Sequence, residues 1–413
     1  MLPEIKTRIN IGKKVGLIGL TIALIVAFSL GFSIRSISLA QNETSLGVFL
    51  QALEIVKSVF VDKDISNTKL VYGAIKGMLE STEDPYTRFL EPKAFSDMTT
   101  RMEGQFFGVG IQIGMKKSRI TVIAPIEGTP AARAKIKALD VIVSIDGFPT
   151  KGLSLEEAVS KIRGERGTKV LLEIEREGLD NNLKVSLVRD SIKIKSVTKV
   201  EMIDDTNKIG YIQLATFESR TSTEEISDAL ADLNKKGMKA LILDLRNNGG
   251  GLLDQAISIA SLFMKNGLVV STTDRNGHDE NFPVVDPEGT TYYDKPLVVL
   301  INGASASASE ILAGAIKDNS RGVLIGTKSF GKASVQAVRK LSDGSAILVT
   351  TAKYHTPSGT DITKKGIEPT LESIIPTETI KLALEEDYVY NAKDDTQLQT
   401  AIKYLNGKVR ISR

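Results

Sequence analysis

The stretch "PLVVLINGASASASEILAGAIKD" (Pro296–Asp318) decides how the C-terminal half of this 413-residue chain folds. Leu297–Ile301 is a short, wholly apolar run, as in a strand covered on both faces. Ile311, Leu312, Ala315 and Ile316 then recur at helical spacing. Between the two lie Ser305, Ser307 and Ser309, alternating with alanine. The serines therefore sit where a strand feeds a helix N-terminus. Unpaired N–H groups and the positive end of the helix dipole favour an anion there. A serine at that point could attack a carbonyl while neighbouring N–H groups stabilise the oxyanion. The same serines would equally serve as helix caps, which needs no chemistry.

Working outward, the pattern repeats. "KIGYIQLATF", "KALILDLRNN" and "GVLIGT" are further buried-type strands, and helical stretches separate them. Strand–helix alternation implies βαβ units and a parallel, doubly covered sheet, an α/β fold. Ser222 with Glu225 three residues on reads as the cap of one helix. A second helix follows Gly251, and "AILVTTAKYHT" reads as a hairpin strand. Upstream, residues 105–190 read as a compact β-rich unit with a short helix opened by Pro130 and an amphipathic one over Leu153–Arg163. Residues 45–80 read as helices, and so does the segment after about 376, which would close the core or serve a dimer.

Residues 1–40 carry Lys6, Arg8, Lys13, Lys14 and Arg35 against Glu4 alone, a net +4 in a chain whose total is +3. The rest is close to neutral, so there is no basic face for nucleic acid. Val15–Ile34 is 20 residues without a charge, the length of a bilayer's hydrocarbon core, with its basic flank on the side that stays in the cytoplasm. An uncleaved membrane anchor is expected, Ser38–Ala40 being the cleavage site of the alternative, a signal peptide. Either way the body lies outside the cytoplasm. Zero cysteine excludes disulfides, thiolate catalysis and cysteine-based zinc sites. No metal-ligand cluster is visible, and no cofactor is expected.

A nucleophilic serine needs a base. The chain has two histidines: His278 in a polar loop and His355 before a turn, neither in a setting that suggests a triad. A lysine can replace histidine if burial lowers its pKa. Lys332, in "GTKSFGKASVQ" (Gly326–Gln336), follows the apolar strand Val323–Ile325 and stands between Gly331 and Ala333, with Gln336 able to orient its amine. Ser329–Lys332 has the spacing S-x-x-K, but that motif works on a helix, and Gly331 interrupts a loop here. "DLRNNGGGLLDQA" (Asp244–Ala256) is either a tight strand-to-helix turn or a glycine run whose N–H groups meet an anion; it lacks the glycine and lysine pattern of a phosphate loop.

Together with "EDPYTRFL" and "AKYHTPSGTDITKKGIEPT", these motifs resemble the carboxy-terminal processing peptidases, or tail-specific proteases, over most of the chain from about residue 45. The 25-residue spacing from Ser307 to Lys332 fits that family. The resemblance implies a protease core of ClpP/crotonase-like βα units, with Ser307 as nucleophile, Lys332 as general base and Gln336 as its orienter. It implies an oxyanion hole from the N–H groups of Ala308 and of a glycine in the 249–251 run, Gly250 being expected. It also implies that the β unit is a PDZ domain, in which "FGVGI" supplies Gly108, Val109, Gly110 and Ile111 to hold a peptide's C-terminal carboxylate. The expected layout is a basic tail with anchor or signal segment (1–40), a helical region (41–104), a PDZ domain (105–190), a protease core (191–375) and a C-terminal helical segment (376–413). Expected partners are proteins or peptides with accessible C-termini and a membrane through residues 15–34, with room for a homo-oligomer. The chain departs from the family pattern at Gly249, Ala333, "KIKALD" (Lys135–Asp140) and His355. Two competing readings are an inactive PDZ adaptor and a crotonase-type acyl-CoA enzyme.

Overall fold

Leu297–Ile301 is buried at every residue, and so is the neighbouring strand Ala240–Asp244. They are the middle of a six-stranded sheet that runs Val197–Asp204, Ile209–Leu214, Ala240–Asp244, Leu297–Ile301, Val323–Gly326, Leu371–Glu372. The first pairing is antiparallel and the other four are parallel. Successive side chains on a strand point to opposite faces. Leu297, Val299 and Ile301 accordingly join one apolar cluster, whereas Val298 and Leu300 join another. Helices Ser222–Lys235, Leu253–Ser261 and Ala308–Asp318 contribute to the first cluster. The second is closed by helix Thr396–Ile411 through Leu398, Ala401, Leu405 and Val409. The C-terminal segment thus covers a sheet face, which the apolar runs of the strands require.

This structure, a computed structural model, describes residues 45–193, 195–285, 293–382 and 391–411. The expected anchor at 15–34 and the Ser38–Ala40 site lie outside the described residues. Among the described residues no helix is long and apolar enough to cross a membrane. The chain divides into two units, Met1–Ser81 and Thr82–Arg413. The first contains a helix over 45–59 and helix Asn67–Glu80. The second contains everything else described below.

A second sheet packs at the edge of the core. Its long strand Ala346–His355 pairs with Arg88–Leu90, Leu268–Asp274 and the hairpin partner Ser334–Lys340; Asp279–Pro283 adds to Leu268–Asp274. The β unit is a separate antiparallel sheet, ordered Ile111–Lys116, Arg119–Pro125, Val141–Ile145, Lys169–Glu175, Leu183–Val188, with its own apolar core. Gln105–Gly108 pairs with Asp190–Lys193 beside it. Its helix Leu155–Ile162 begins in a capping box in which Ser154 and Glu157 each accept the other's backbone N–H.

One local expectation is revised, and one departure from the family pattern is accounted for. The N-cap position of helix Ser222–Lys235 is Thr221, not Ser222, and its side chain makes no capping hydrogen bond. The Ser222 hydroxyl is buried and donates to the Ser219 carbonyl at 2.7 Å, so it is spent on the preceding turn. In "KIKALD", where a Pro-Gly turn is absent, Lys135 and Leu139 take positive φ values of 59° and 69°. Strain of that sort costs on the order of 1 kcal/mol per residue. The turn is held by the buried Asp140 carboxylate, which accepts the Lys137 N–H and the Arg176 guanidinium.

Candidate active site

Three consecutive parallel strands end at Asp244, Ile301 and Gly326, on the same edge of the sheet. Their loops carry the glycine run, the serine run and Lys332. Carboxyl ends of parallel strands are where open α/β sheets place their sites.

The glycine loop is anchored first. Asp244 is fully buried and accepts the Tyr211 hydroxyl at 2.7 Å and the Arg246 guanidinium at 2.6 Å; Asp395 holds Arg246 from the other side at 2.8 Å. Burial pulls the Arg246 pKa down, and the two carboxylates more than offset it, so Arg246 is held above its ordinary value. Asn248 then links this loop to the serine loop. Its amide donates to the Leu214 carbonyl, and its own carbonyl accepts the Ala306 N–H at 3.0 Å and the Ser309 hydroxyl at 2.8 Å. Its side-chain oxygen accepts the Gly250 N–H at 2.9 Å. The expected oxyanion donor Gly250 is therefore occupied in this conformation, because Asn248 folds over the turn. Gly250 is needed for another reason. At φ 97°, a Cβ there would lie 2.6 Å from the Ala306 carbonyl and 2.8 Å from the Ala308 nitrogen. Ala308 is the first residue of helix Ala308–Asp318, where an N–H has no partner within the helix.

The three serines separate by role. Ser305 is fully buried and donates to the Leu245 carbonyl at 2.8 Å. Ser309, equally buried, is the one bonded to Asn248. Ser307 is half-buried, adopts φ 55°, ψ −117°, and lines a cavity of about 300 Å³. A non-glycine residue at that φ is strained, a feature that clusters at functional turns.

Glu310 is the residue that organises the site, and it is fully buried. Its carboxylate accepts the N–H of Ser307 at 2.9 Å, of Gly331 at 2.6 Å and of Lys332 at 2.9 Å, and the Ser329 hydroxyl at 2.6 Å. Ser329, the other half of the S-x-x-K spacing, is thereby committed to structure. Tyr354, also buried, donates its hydroxyl to the Lys332 carbonyl and lies 3.2 Å from that of Ser307.

Lys332 lines the same cavity, half-buried. Burial pulls its pKa below the ordinary lysine value, and Arg88 pulls the same way; Asp84 and Glu310 oppose. Its amine lies 4.6 Å from the centre of the Tyr86 ring, and no hydrogen bond joins it to the Ser307 hydroxyl. Gln336 also lines the cavity, but its amide donates to Ser334 at 2.8 Å rather than meeting Lys332. Met98, Ile311, Val335 and Leu348 supply apolar wall. Neither histidine is among the lining residues, and His278 is 81% exposed.

In the β unit, the Val109 carbonyl accepts the Ala131 N–H and the Gly110 carbonyl accepts the Ile126 N–H, both at 2.9 Å. In a trans peptide the next N–H points the opposite way. The N–H groups of Gly110 and Ile111 therefore face away from the unit's body. Val109 itself is buried, as is Gly108, which pairs with Asp190. A cavity of about 910 Å³ lies nearby, lined by Phe106, Phe107, Leu155, Val159 and Arg163 with residues of helix Pro92–Met102.

Sequence reasoning missed Glu310, Tyr354, Asn248 and Tyr86. Glu310 had a signal: an acid in the first turn of a helix whose next six residues are all apolar or small, which also reads as an ordinary capping residue. Tyr354 and Tyr86 are brought in by strand pairings distant in sequence, and no local pattern marks them.

Family models match in three places: peptidase family S41 over residues 208–373, PDZ domain over 97–175, and the N-terminal domain of activating protease CtpB over 33–94. The carboxy-terminal processing protease CtpA of Bacillus subtilis is 39% identical over 367 residues, covering 88% of this chain and 77% of the relative. The carboxyl-terminal-processing protease of a Synechocystis species is 38% identical, covering 87% and 82%. A solved chain from Bacteroides fragilis, described as an S41 protease, is alike in fold, with a TM-score of 0.52 at 18% identity over 84% of this chain and 91% of that one. On the sequence identities, this chain belongs to the carboxy-terminal processing proteases of peptidase family S41, and is a serine-type protease with a PDZ domain.

Proposed function

We propose that the chain is an endopeptidase working through a Ser307–Lys332 dyad on proteins whose C-terminal tails are captured by the PDZ domain. The observation that carries this is the single buried carboxylate of Glu310, bonded to the backbone of both Ser307 and Lys332. It fixes the hydroxyl-bearing turn and the amine-bearing loop against one cavity. In the proposed reaction, neutral Lys332 takes the Ser307 proton as the oxygen attacks a peptide carbonyl. The Ala308 N–H, with a second donor from the glycine run, faces the developing oxyanion. The protonated amine then gives its proton to the leaving nitrogen. Water, deprotonated by the same lysine, hydrolyses the acyl-enzyme. For this the amine must leave the Tyr86 ring and come within about 3 Å of the hydroxyl.

The site of action is proposed to be outside the cytoplasm, with the chain held at the membrane by Val15–Ile34. That rests on the charge-free run and its basic flank. Ser307→Ala and Lys332→Ala should each abolish cleavage of an unfolded protein with an apolar tail while leaving tail binding intact. Cleavage at wild-type rate by both variants would refute the dyad. Tail binding with no Ser307-dependent product from the wild type would return the adaptor reading.

A further inference from the structure

The "EDPYTRFL" motif has no part in the reaction above, yet it delivers an aromatic ring to the base. The turn is held at several points. Asp84 accepts the Tyr86 N–H at 3.1 Å and the Thr87 hydroxyl at 2.6 Å. Thr87 is buried, and its oxygen accepts the Thr350 N–H at 3.1 Å. Arg88–Leu90 pairs with Ala346–Leu348 on the long strand that also carries Tyr354. These contacts fix the half-buried Tyr86 with its ring 4.6 Å from the Lys332 amine.

We infer that Tyr86 is a positioning residue for Lys332, whose ring holds the protonated amine away from Ser307 and releases it once the proton is lost. The inference rests on the Ser307–Lys332 reading. An aromatic face attracts an ammonium through its quadrupole but has little hold on a neutral amine. The ring is thus selective for the form of Lys332 that cannot act as a base. The other charged or titratable groups around the amine are Asp84 and Arg88 from the same turn, Glu310 from the helix and Tyr354 from the long strand, with Arg101 and Glu218 elsewhere on the cavity wall. Each of these residues is kept when the Tyr86 ring is changed to an aliphatic side chain, and Tyr354, the one that Tyr86 itself influences, stays neutral because its own burial holds its pKa high.

The test is the pH dependence of kcat/KM on a fluorogenic peptide for wild type, Tyr86→Phe and Tyr86→Leu. Losing the ring removes stabilisation of the ammonium, so the lysine's pKa falls. In Tyr86→Leu the acid limb should move down by about 0.4–1.5 pH units. Tyr86→Phe keeps the ring and should keep the wild-type limb. An unmoved limb in Tyr86→Leu, or equal movement in both variants, overturns the inference. A second reading does not depend on activity or on the leucine variant folding. In Ser307→Ala protein with ¹³Cε-labelled lysine, assigned against Lys332→Ala, the Lys332 ε-protons should be shifted upfield by the ring below the acid limb. Random-coil shifts there would overturn the inference even if the dyad stands. Cleavage surviving in Ser307→Ala would instead sink the dyad, leaving the ring contact to be judged by the spectrum.

Discussion

The Glu310 Oε2 atom accepts the backbone N–H of Ser307 at 2.9 Å. That same oxygen accepts the Lys332 N–H at the same distance, and its twin takes Gly331 and Ser329. One carboxylate therefore sets the separation of two loops that belong to different strands of the parallel sheet.

Glu310→Ala would leave four donors without their acceptor. Each unpaired buried donor costs about 1–3 kcal/mol. The expected result is a Tm lower by roughly 8–16 °C for a loss of about 4 kcal/mol, the low end for four donors. Cleavage should fall at least about 100-fold, as positioning is lost. Calorimetry and a peptide assay at a temperature where the variant is folded check this. An unchanged kcat would show that Glu310 does not position the pair.

Arg88 lowers the Lys332 pKa, since a neighbouring positive charge disfavours a second one. Arg88→Gln should therefore raise that pKa and move the acid limb of kcat/KM to higher pH, so activity at neutral pH falls. Arg88 is exposed, so the move should be under about one pH unit and should shrink in high salt. A shift toward lower pH contradicts the sign.

Gly110 has φ 77°, and a Cβ there would lie 2.3 Å from the Thr129 Cβ. Gly110→Ala must therefore distort the loop whose N–H groups face outward. Strain of about 1–3 kcal/mol would weaken binding of a tail peptide by roughly tenfold or more. Fluorescence anisotropy measures this. Cleavage of a short peptide that does not engage the PDZ domain should be unchanged.

Gly250→Ala tests the close approach at the nucleophile turn. The added methyl would meet the Ala306 carbonyl and the Ala308 nitrogen at under 3 Å. It would push the glycine loop from Ser307, and kcat should fall by on the order of 10²–10³, the range for a lost oxyanion donor. Tail affinity should remain that of wild type.

The parallel sheet was legible because its strands are continuous apolar runs, which only a doubly covered strand needs. That Ser307 and Lys332 line one cavity was legible because each sits in a dense local motif at a strand end. Geometry that depends on side-chain conformation or on distant pairings was not. The Gly250 N–H is taken by Asn248, two residues away, yet "NNGGG" reads equally as an open donor array. Gln336 stands four residues after Lys332, but on a strand where its amide meets Ser334 instead. Tyr86 reaches the amine only because Arg88–Leu90 pairs with a strand more than 250 residues later. The separate uses of Ser305 and Ser309 likewise follow from loops 60 residues upstream.

The most direct measurement is to trap the acyl-enzyme with a slow-turnover peptide ester and map the adduct by mass spectrometry within the tryptic fragment spanning residues 276–317. The account predicts the adduct on Ser307, its formation accelerating with pH and absent from Lys332→Ala. An adduct on Ser305 or Ser309, or one that forms at full rate without Lys332, would contradict it.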